Sequence, residues 1–159
     1  MRKNILTVTV IAMMMLLLTS TAIGADPSIG TWKLNVAKSK VVDGVAGAPP
    51  SEQTLVKSEL NADQLQAVFT GRGSDGSPAE SRSVFPKAGG VINFPQGVPM
   101  NAIMTVLGPG DCYVTYLRDG KQTKAEHWVV SKDGKAMLDT VYGTRGGKPV
   151  IIELFWERQ

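Results

Sequence analysis

A chain of 159 residues, 43% of them apolar, can form one domain with a sizeable core. Its 17 basic and 14 acidic residues leave so small a net charge that neither nucleic acid nor an anionic membrane surface is indicated as a partner. The single cysteine, Cys112, excludes an internal disulfide, so packing must hold the fold together.

The N-terminal segment has the three parts of a signal peptide. Arg2 and Lys3 precede an apolar run over 5–18, and small residues follow up to Ala25. The run is shorter than the roughly 20 residues that a membrane span needs. We therefore predict cleavage after Ala25, a periplasmic or secreted protein with no integral membrane segment, and a single domain over 26–159.

The next part of the chain predicts a series of short strands. The first is Gly30–Asn35, in which Trp32 and Leu34 share one face. The Gly- and Pro-rich stretch over 41–51 predicts a connecting loop, with a lid over a barrel mouth as the alternative. An irregular crossing is predicted over 86–99. The other strands predicted here are Gln53–Leu60, Gln64–Arg72, Glu80–Phe85 and Asn101–Leu107.

The last third of the chain predicts four antiparallel strands joined by three tight turns. Asp119-Gly120, Asp133-Gly134 and Gly146-Gly147 supply the positive φ angles that two-residue hairpin turns need. Such a meander usually continues until its edges are covered or closed. We therefore predict an all-β protein, an antiparallel up-and-down barrel of about eight to nine strands.

Two-residue turns would determine which side chains of the meander face inward. Pairing outward from the first turn sets Cys112 opposite His127 and leaves Lys124 and Glu126 in solvent, where charged groups are least costly. Trp128 then points outward. The predicted inward residues are Cys112, Val114, Tyr116, Ala125, His127, Val129, Leu138, Thr140 and Tyr142.

The turn at Gly146-Gly147 leaves two registers open. A two-residue turn would place Ile151, Glu153 and Phe155 inside. A four-residue turn is preferred because it keeps Glu153 in water, where an unpaired carboxylate costs less. The residues that it places inside are Val150, Ile152, Leu154 and Trp156.

Cys112 and His127 are the only residues of their types, and the predicted register sets them side by side. A thiolate beside an imidazole is a nucleophile and base pair. A buried thiol beside a core histidine is the commoner arrangement. The sequence has no phosphate-binding loop, no dinucleotide fingerprint and no ligand cluster at metal spacing. We predict no catalytic residue, no metal and no cofactor, with a Cys/His-dependent enzyme as a minor alternative.

The segment Gly30-Thr31-Trp32 resembles the Gly-X-Trp opening motif of the lipocalins and the wider calycin superfamily. This resemblance implies an antiparallel barrel that Gly30, Trp32 and Arg158 close at one end, with the basic side chain lying across the indole. A second similarity, to small exported bacterial proteins of undetermined function, covers four segments: Gly30–Asn35, Lys38–Lys40, Val130–Lys135 and Trp156–Gln159.

The resemblance and the apolar inward face together suggest a non-catalytic carrier or sensor for a small apolar or amphipathic ligand. The alternative is an envelope protein with a filled core that acts through its surface, as an inhibitor, a partner or a structural factor. The size of the internal cavity distinguishes the two. The residues predicted to contact the ligand are Val114, Tyr116, His127, Val129, Leu138, Tyr142 and Leu154.

Overall fold

A computed structural model describes residues 26–44, 52–72, 76–97 and 101–159. The predicted signal peptide and most of the predicted loop over 41–51 lie outside these residues. The described chain is built from strands alone: β1 (Gly30–Leu34), β2 (Lys40–Asp43), β3 (Glu52–Glu59), β4 (Gln64–Arg72), β5 (Pro78–Pro86), β6 (Gly90–Ile92), β7 (Asn101–Gly108), β8 (Asp111–Arg118), β9 (Lys121–Val130), β10 (Ala136–Arg145) and β11 (Lys148–Arg158).

The strands form one antiparallel sheet that curls into a barrel. The order of neighbours is β5-β4-β3-β1-β11-β10-β9-β8-β7-β6, and β2 also pairs with β11. The two ends of this order meet where Val84 and Asn93 exchange two backbone hydrogen bonds of 2.8 Å. That contact nearly closes the barrel and limits the length of unpaired sheet edge. The predicted all-β, up-and-down antiparallel barrel is confirmed.

The described strands number eleven, more than the eight or nine predicted. One reason is that β1 and β2 run along the same neighbour, β11, with a break between them. At the break, Ser39 Oγ accepts a 3.0 Å hydrogen bond from Phe155 N and donates a 2.8 Å bond to Asn35 O. The hydroxyl takes the place of a backbone partner, so the two short strands act as one interrupted strand.

The most deeply buried side chains come from strands that are distant in sequence. Trp32, Leu55, Met137 and Trp156 are each at most 1% exposed. They lie on β1, β3, β10 and β11, which are neighbours in the barrel. Complete burial of an apolar side chain contributes about 1.5–3 kcal/mol relative to an exposed one. These residues therefore hold the first and last strands of the domain together.

The hairpin between β8 and β9 contains a β-bulge that reverses the predicted faces. The turn itself has two residues, as predicted, but the register shifts by one between Leu117 and Tyr116. Tyr116 pairs with Lys124, which makes Thr123 the extra residue of the bulge. A shift of one residue turns every following side chain of the strand to the other face.

The bulge makes the predicted pairing of Cys112 with His127 wrong. Cys112 pairs with Trp128, so its side chain and that of His127 lie on opposite faces of the sheet. The prediction that Lys124 and Glu126 both lie on the solvent face is also wrong, because both face the interior and Glu126 is 8% exposed. Trp128, predicted to point outward, is buried in the barrel.

The next hairpin carries the reversal into β10. Its connection is longer than two residues, closed by a 2.8 Å hydrogen bond from Ser131 N to Ala136 O. The predicted pairing of Val129 with Ala136 is wrong, because Val129 pairs with Leu138, two residues further along. A shift of two residues leaves every side chain on the same face, so the reversal in β10 comes from the bulge alone. The inward residues of β10 are Met137, Asp139 and Val141, and its outward residues are Leu138, Thr140 and Tyr142.

The final turn also differs from the preferred prediction. Gly146 and Gly147 form a two-residue turn with φ angles of 57° and 77°, which glycine adopts without a Cβ penalty. The preferred four-residue turn is wrong. The face predicted from it is nevertheless right, because the reversal in β10 cancels the error. Glu153 points outward and lies 3.0 Å from Lys40 Nζ. The inward residues of β11 are Val150, Ile152, Leu154 and Trp156.

Candidate functional site

The interior of the barrel contains a cavity of about 510 Å³, which we call the main cavity. Its wall is largely apolar, and a ring of aromatic side chains shapes it. Phe69 forms T-shaped contacts with Trp128 and Trp156, with centroid separations of 6.2 and 6.1 Å. The volume falls within the range of about 300–1,000 Å³ that is usual for small-molecule sites. Its apolar lining includes Phe69, Met104, Val114, Trp128, Leu154 and Trp156.

One side of the main cavity carries a polar group of three residues. Glu126 accepts a 2.8 Å hydrogen bond from the Tyr116 hydroxyl and a 2.7 Å bond from Lys124 Nζ. The ammonium of Lys124 also lies 4.0 Å from the centroid of the Tyr116 ring. Burial, and after it the charge of Glu126, raises the pKa of Tyr116 far above its ordinary value. The phenol therefore stays protonated and its oxygen remains a hydrogen-bond donor to the carboxylate.

Asp139 is the most unusual residue of this cavity. It is 4% exposed, and burial, followed by the charge of Glu126, raises its pKa well above the ordinary value. The indole of Trp128 lies close enough to lower that pKa somewhat, although no hydrogen bond of ordinary geometry forms. Among the described residues, none pairs with Asp139 Oδ1, Trp128 Nε1 or Trp156 Nε1. The cavity wall thus holds one acceptor and two donors without partners.

Solved structures show which fold this is. The fluorescent protein UnaG matches with a TM-score of 0.54 and 15% sequence identity, covering 83% of this chain and 97% of its own. Two mutants of UnaG match with the same TM-score at 16% identity, each covering 84% of this chain and 96% of its own. The barrel is calycin-like. The siderocalin Ex-FABP matches with a TM-score of 0.47 and 10% sequence identity, covering 85% of this chain and 75% of its own. No protein-family profile and no curated protein matches the chain.

The calycin-like barrel holds a second cavity of about 470 Å³. Phe85, Met104 and Trp128 line both cavities and so lie between them. The second cavity lies toward the start of β8, where Asp26 and Asp111 stand at its rim. Its inner wall combines apolar side chains with one amine and one thiol: Lys57, Leu65, Phe85, Met104, Cys112 and Met137.

Lys57 is buried in this second cavity, at 3% exposure. Its Nζ lies 4.7 Å from the Trp128 ring centroid and 5.2 Å from that of Phe85. No side chain in the described ranges forms a hydrogen bond or ion pair with it. Burial lowers the pKa of Lys57, and the largest opposing effect comes from Cys112. The amine lies against aromatic rings and has no carboxylate partner within the described part of the chain.

The seven residues predicted to contact a ligand fall into two groups. Val114, Tyr116 and Leu154 line the main cavity. Their contact with a ligand stays a prediction. The other four lie on the opposite face of the sheet because of the bulge between β8 and β9: His127, Val129, Leu138 and Tyr142.

The nucleophile and base pair considered from the sequence is not formed. His127 Nε2 lies 2.8 Å from Asp111 Oδ1, and the imidazole ring packs beside Tyr113 with centroids 5.3 Å apart. Cys112 faces the second cavity instead, and burial raises the pKa of its thiol to about 11. The thiol therefore lacks the imidazole as a neighbouring base and carries little thiolate at neutral pH.

The residues predicted to close the barrel lie together. Trp32 and Arg158 are paired across β1 and β11, and the guanidinium carbon lies 4.3 Å from the indole centroid. Gly30 leaves room for this arrangement, since a Cβ there would overlap Arg158 Nη1. The guanidinium also donates three hydrogen bonds, to the backbone carbonyls of Pro27, Ile29 and Gly134.

Lys57, Glu126 and Asp139 were missed by the sequence reasoning. A charged residue in a strand normally marks the solvent face, and Glu126 was assigned there for that reason. The sequence held one signal for Lys57. It stands two residues after Leu55 in β3, and side chains two residues apart in a strand share a face. The inward positions of Glu126 and Asp139 could not be predicted without knowing of the bulge, because the bulge decides which face of β9 and β10 points inward.

Two further observations bear on the kind of site. Across 26–44, 52–72, 76–97 and 101–159, no group of three or more His, Cys, Asp and Glu side chains is placed to hold a metal ion. In the same part of the chain, no helix has the length and apolarity needed to cross a membrane.

Proposed function

We propose that this protein binds one small amphipathic molecule in the main cavity and performs no chemistry on it. The observation that carries the proposal is the set of polar atoms without partners in an otherwise apolar wall: Asp139 Oδ1, Trp128 Nε1 and Trp156 Nε1. A buried polar group without a partner costs about 1–3 kcal/mol. A ligand whose polar groups formed hydrogen bonds with these atoms would remove that penalty and so bind more tightly. The cavity should therefore bind an amphipathic ligand better than a purely apolar one.

The chemistry of the wall favours a neutral ligand group that both donates and accepts hydrogen bonds. The two indoles can only donate, and they require an acceptor on the ligand. Burial raises the pKa of Asp139 and so favours its own neutral carboxyl form, and the charge of Glu126 is paired with that of Lys124. None of these three groups calls for a charged ligand. A hydroxyl, amide or lactam attached to an apolar body meets these requirements.

The same proposal includes export. It rests on the sequence of residues 1–25, whose basic start, apolar run and small residues are typical of a cleaved signal peptide. A ligand-binding protein of the periplasm or the extracellular medium would then act on molecules outside the cytoplasm. N-terminal sequencing of the protein recovered from its source tests this part, and a chain that still begins at Met1 would contradict it.

The alternative of a surface-acting protein requires a core filled by its own side chains. Two cavities of about 510 and 470 Å³ count against such a core. They therefore support the ligand-binding proposal over its alternative.

Titration with Nile red, a neutral apolar dye whose fluorescence rises in apolar surroundings, tests the proposal. We expect saturable binding of one dye per chain, with quenching of tryptophan emission because Trp128 and Trp156 line the cavity. Val141→Phe fills space in the main cavity and should weaken binding about tenfold or more, which corresponds to about 1.4 kcal/mol. Val91→Phe is the matched control, because Val91 is 68% exposed.

The two variants make the result specific to the cavity. Equal affinity in Val141→Phe and the wild type would mean that the dye binds elsewhere. Absence of saturable binding by Nile red and by a panel of apolar alcohols and amides would leave the surface-acting alternative.

A further inference from the structure

Lys57 is a buried amine that has no carboxylate partner among the described residues. An isolated ammonium in an apolar setting costs so much that such a group usually loses its proton or acquires a partner. The rings of Trp128 and Phe85 stabilise the charged form only in part. A buried lysine of this kind is the usual form of a nucleophilic or Schiff-base amine.

The charged residues that line the second cavity disfavour an anionic ligand as a partner for the Lys57 amine. Three carboxylates stand there, those of Asp26, Glu59 and Asp111. Among the described residues, the other cation lining the cavity is Lys87, whose Nζ lies 2.7 Å from Glu59 Oε1. An anionic ligand would therefore meet more negative than positive charge on its way to Lys57. An uncharged electrophile meets no such barrier.

The neighbouring thiol does not compete for an electrophile. Cys112 lines the same cavity, but burial raises its pKa to about 11, so the thiolate is scarce at neutral pH. Burial acts in the opposite sense on the lysine, because it lowers the pKa of Lys57 and enriches the free amine. Of the two nucleophiles in the cavity, the lysine is the reactive one.

We propose that Lys57 is a covalent attachment site, at which a small apolar aldehyde binds in the second cavity and forms an imine. The Lys57 nitrogen attacks the aldehyde carbon to give a carbinolamine. The hydroxyl of that adduct then leaves as water, a C=N bond replaces the C=O bond, and both hydrogens lost from the amine end in the water. No oxidant or reductant takes part, and the reaction is reversible.

The shape of the cavity specifies the aldehyde further. The amine lies over the rings of Trp128 and Phe85, so a flat aromatic or conjugated aldehyde can stack beside it while its carbonyl reaches Nζ. Leu65, Met104 and Met137 supply an apolar surface for the rest of the molecule. This site is distinct from the main cavity, and the inference does not depend on the function proposed for that cavity.

Reductive trapping with 2-naphthaldehyde and sodium cyanoborohydride tests the inference. The hydride converts an imine to a stable secondary amine, which peptide mapping by mass spectrometry locates. We expect one naphthylmethyl group per chain, at Lys57, formed faster than at any exposed lysine, because burial lowers the pKa of Lys57 and so enriches the free amine. Lys33, exposed on β1, is the internal reference.

Two controls complete the experiment. Lys57→Arg keeps a cation over the aromatic rings but cannot form an imine, so its labelling should fall to the level of the surface lysines. Unfolding the wild type in urea should abolish the preference for Lys57, because the cavity no longer exists. The wild-type map decides the matter even if the variant folds poorly. Labelling spread over the exposed lysines, or a preference for Lys57 that survives in urea, would overturn the proposal.

Discussion

Arg158, which lies across Trp32, should contribute more to the free energy of unfolding than an arginine on the surface does. Arg158 donates three hydrogen bonds to backbone carbonyls and lies over the indole at 4.3 Å. Each bond is partly shielded from water and contributes about 1 kcal/mol, and the cation–π contact adds about 0.5–2 kcal/mol. We therefore expect Arg158→Ala to lower the free energy of unfolding by about 3–5 kcal/mol.

A double-mutant cycle isolates the contact itself. Trp32→Leu removes the π-system but keeps much of the apolar volume, and this single substitution should cost about 2–3 kcal/mol. The loss is small enough that the double variant should remain folded in water. If the pair interacts, the double variant should lose about 1–2 kcal/mol less than the sum of the two single losses. Urea denaturation followed by far-UV circular dichroism measures all four proteins without relying on tryptophan fluorescence.

Two controls bear on the same contact. Arg118→Ala, at the exposed end of β8, should change stability by less than about 0.5 kcal/mol. Gly30→Ala should destabilise the wild type more than it destabilises Arg158→Ala, because its new Cβ overlaps the guanidinium. A coupling energy within about 0.3–0.5 kcal/mol of zero would refute the reasoning and remove the main support for closure by this pair.

Three other predictions follow from single residues. The pKa of Asp139 is raised in the fold, so the native state keeps a proton that the unfolded chain loses above about pH 4. The stability of the wild type should therefore fall as the pH rises from about 4 to the native pKa. The expected loss is about 1.4 kcal/mol for each pH unit between the unfolded and native pKa values. Asp139→Asn should remove that decline in urea titrations between about pH 4 and 8, and identical pH profiles would contradict it. Iodoacetamide should alkylate Cys112 at pH 8 roughly 20-fold more slowly than a free thiol of ordinary pKa, since the scarcity of thiolate at a pKa of about 11 outweighs its greater nucleophilicity; a rate equal to that of glutathione would show that the thiol is not buried. Ser39→Ala should cost about 1–2 kcal/mol by leaving Phe155 N without its acceptor, whereas Ser39→Thr, which keeps the hydroxyl, should cost less; equal losses would contradict a role for the hydrogen bond.

The sequence alone determined the class of fold and the order of the strands. These depend on local chemistry: alternation of apolar and polar residues along each strand, and glycines that supply positive φ at the turns. The two-residue turn predicted at Asp119-Gly120 is present in the structure. The pairing of β1 with β11 also follows, since two strands left at the edges of a barrel must meet to remove unpaired backbone groups.

Only the tertiary structure decided which face of the last strands points inward. One extra residue, Thr123, forms the bulge, and nothing in its own sequence marks it as different from its neighbours. Its position follows from packing around the whole barrel, because the shift brings Trp128 against Phe69 and Phe85 from strands distant in the chain. Since strands have a period of two, that single residue exchanges interior for exterior. It also carries Glu126 into the cavity, against a charge rule that holds only when no buried partner is available.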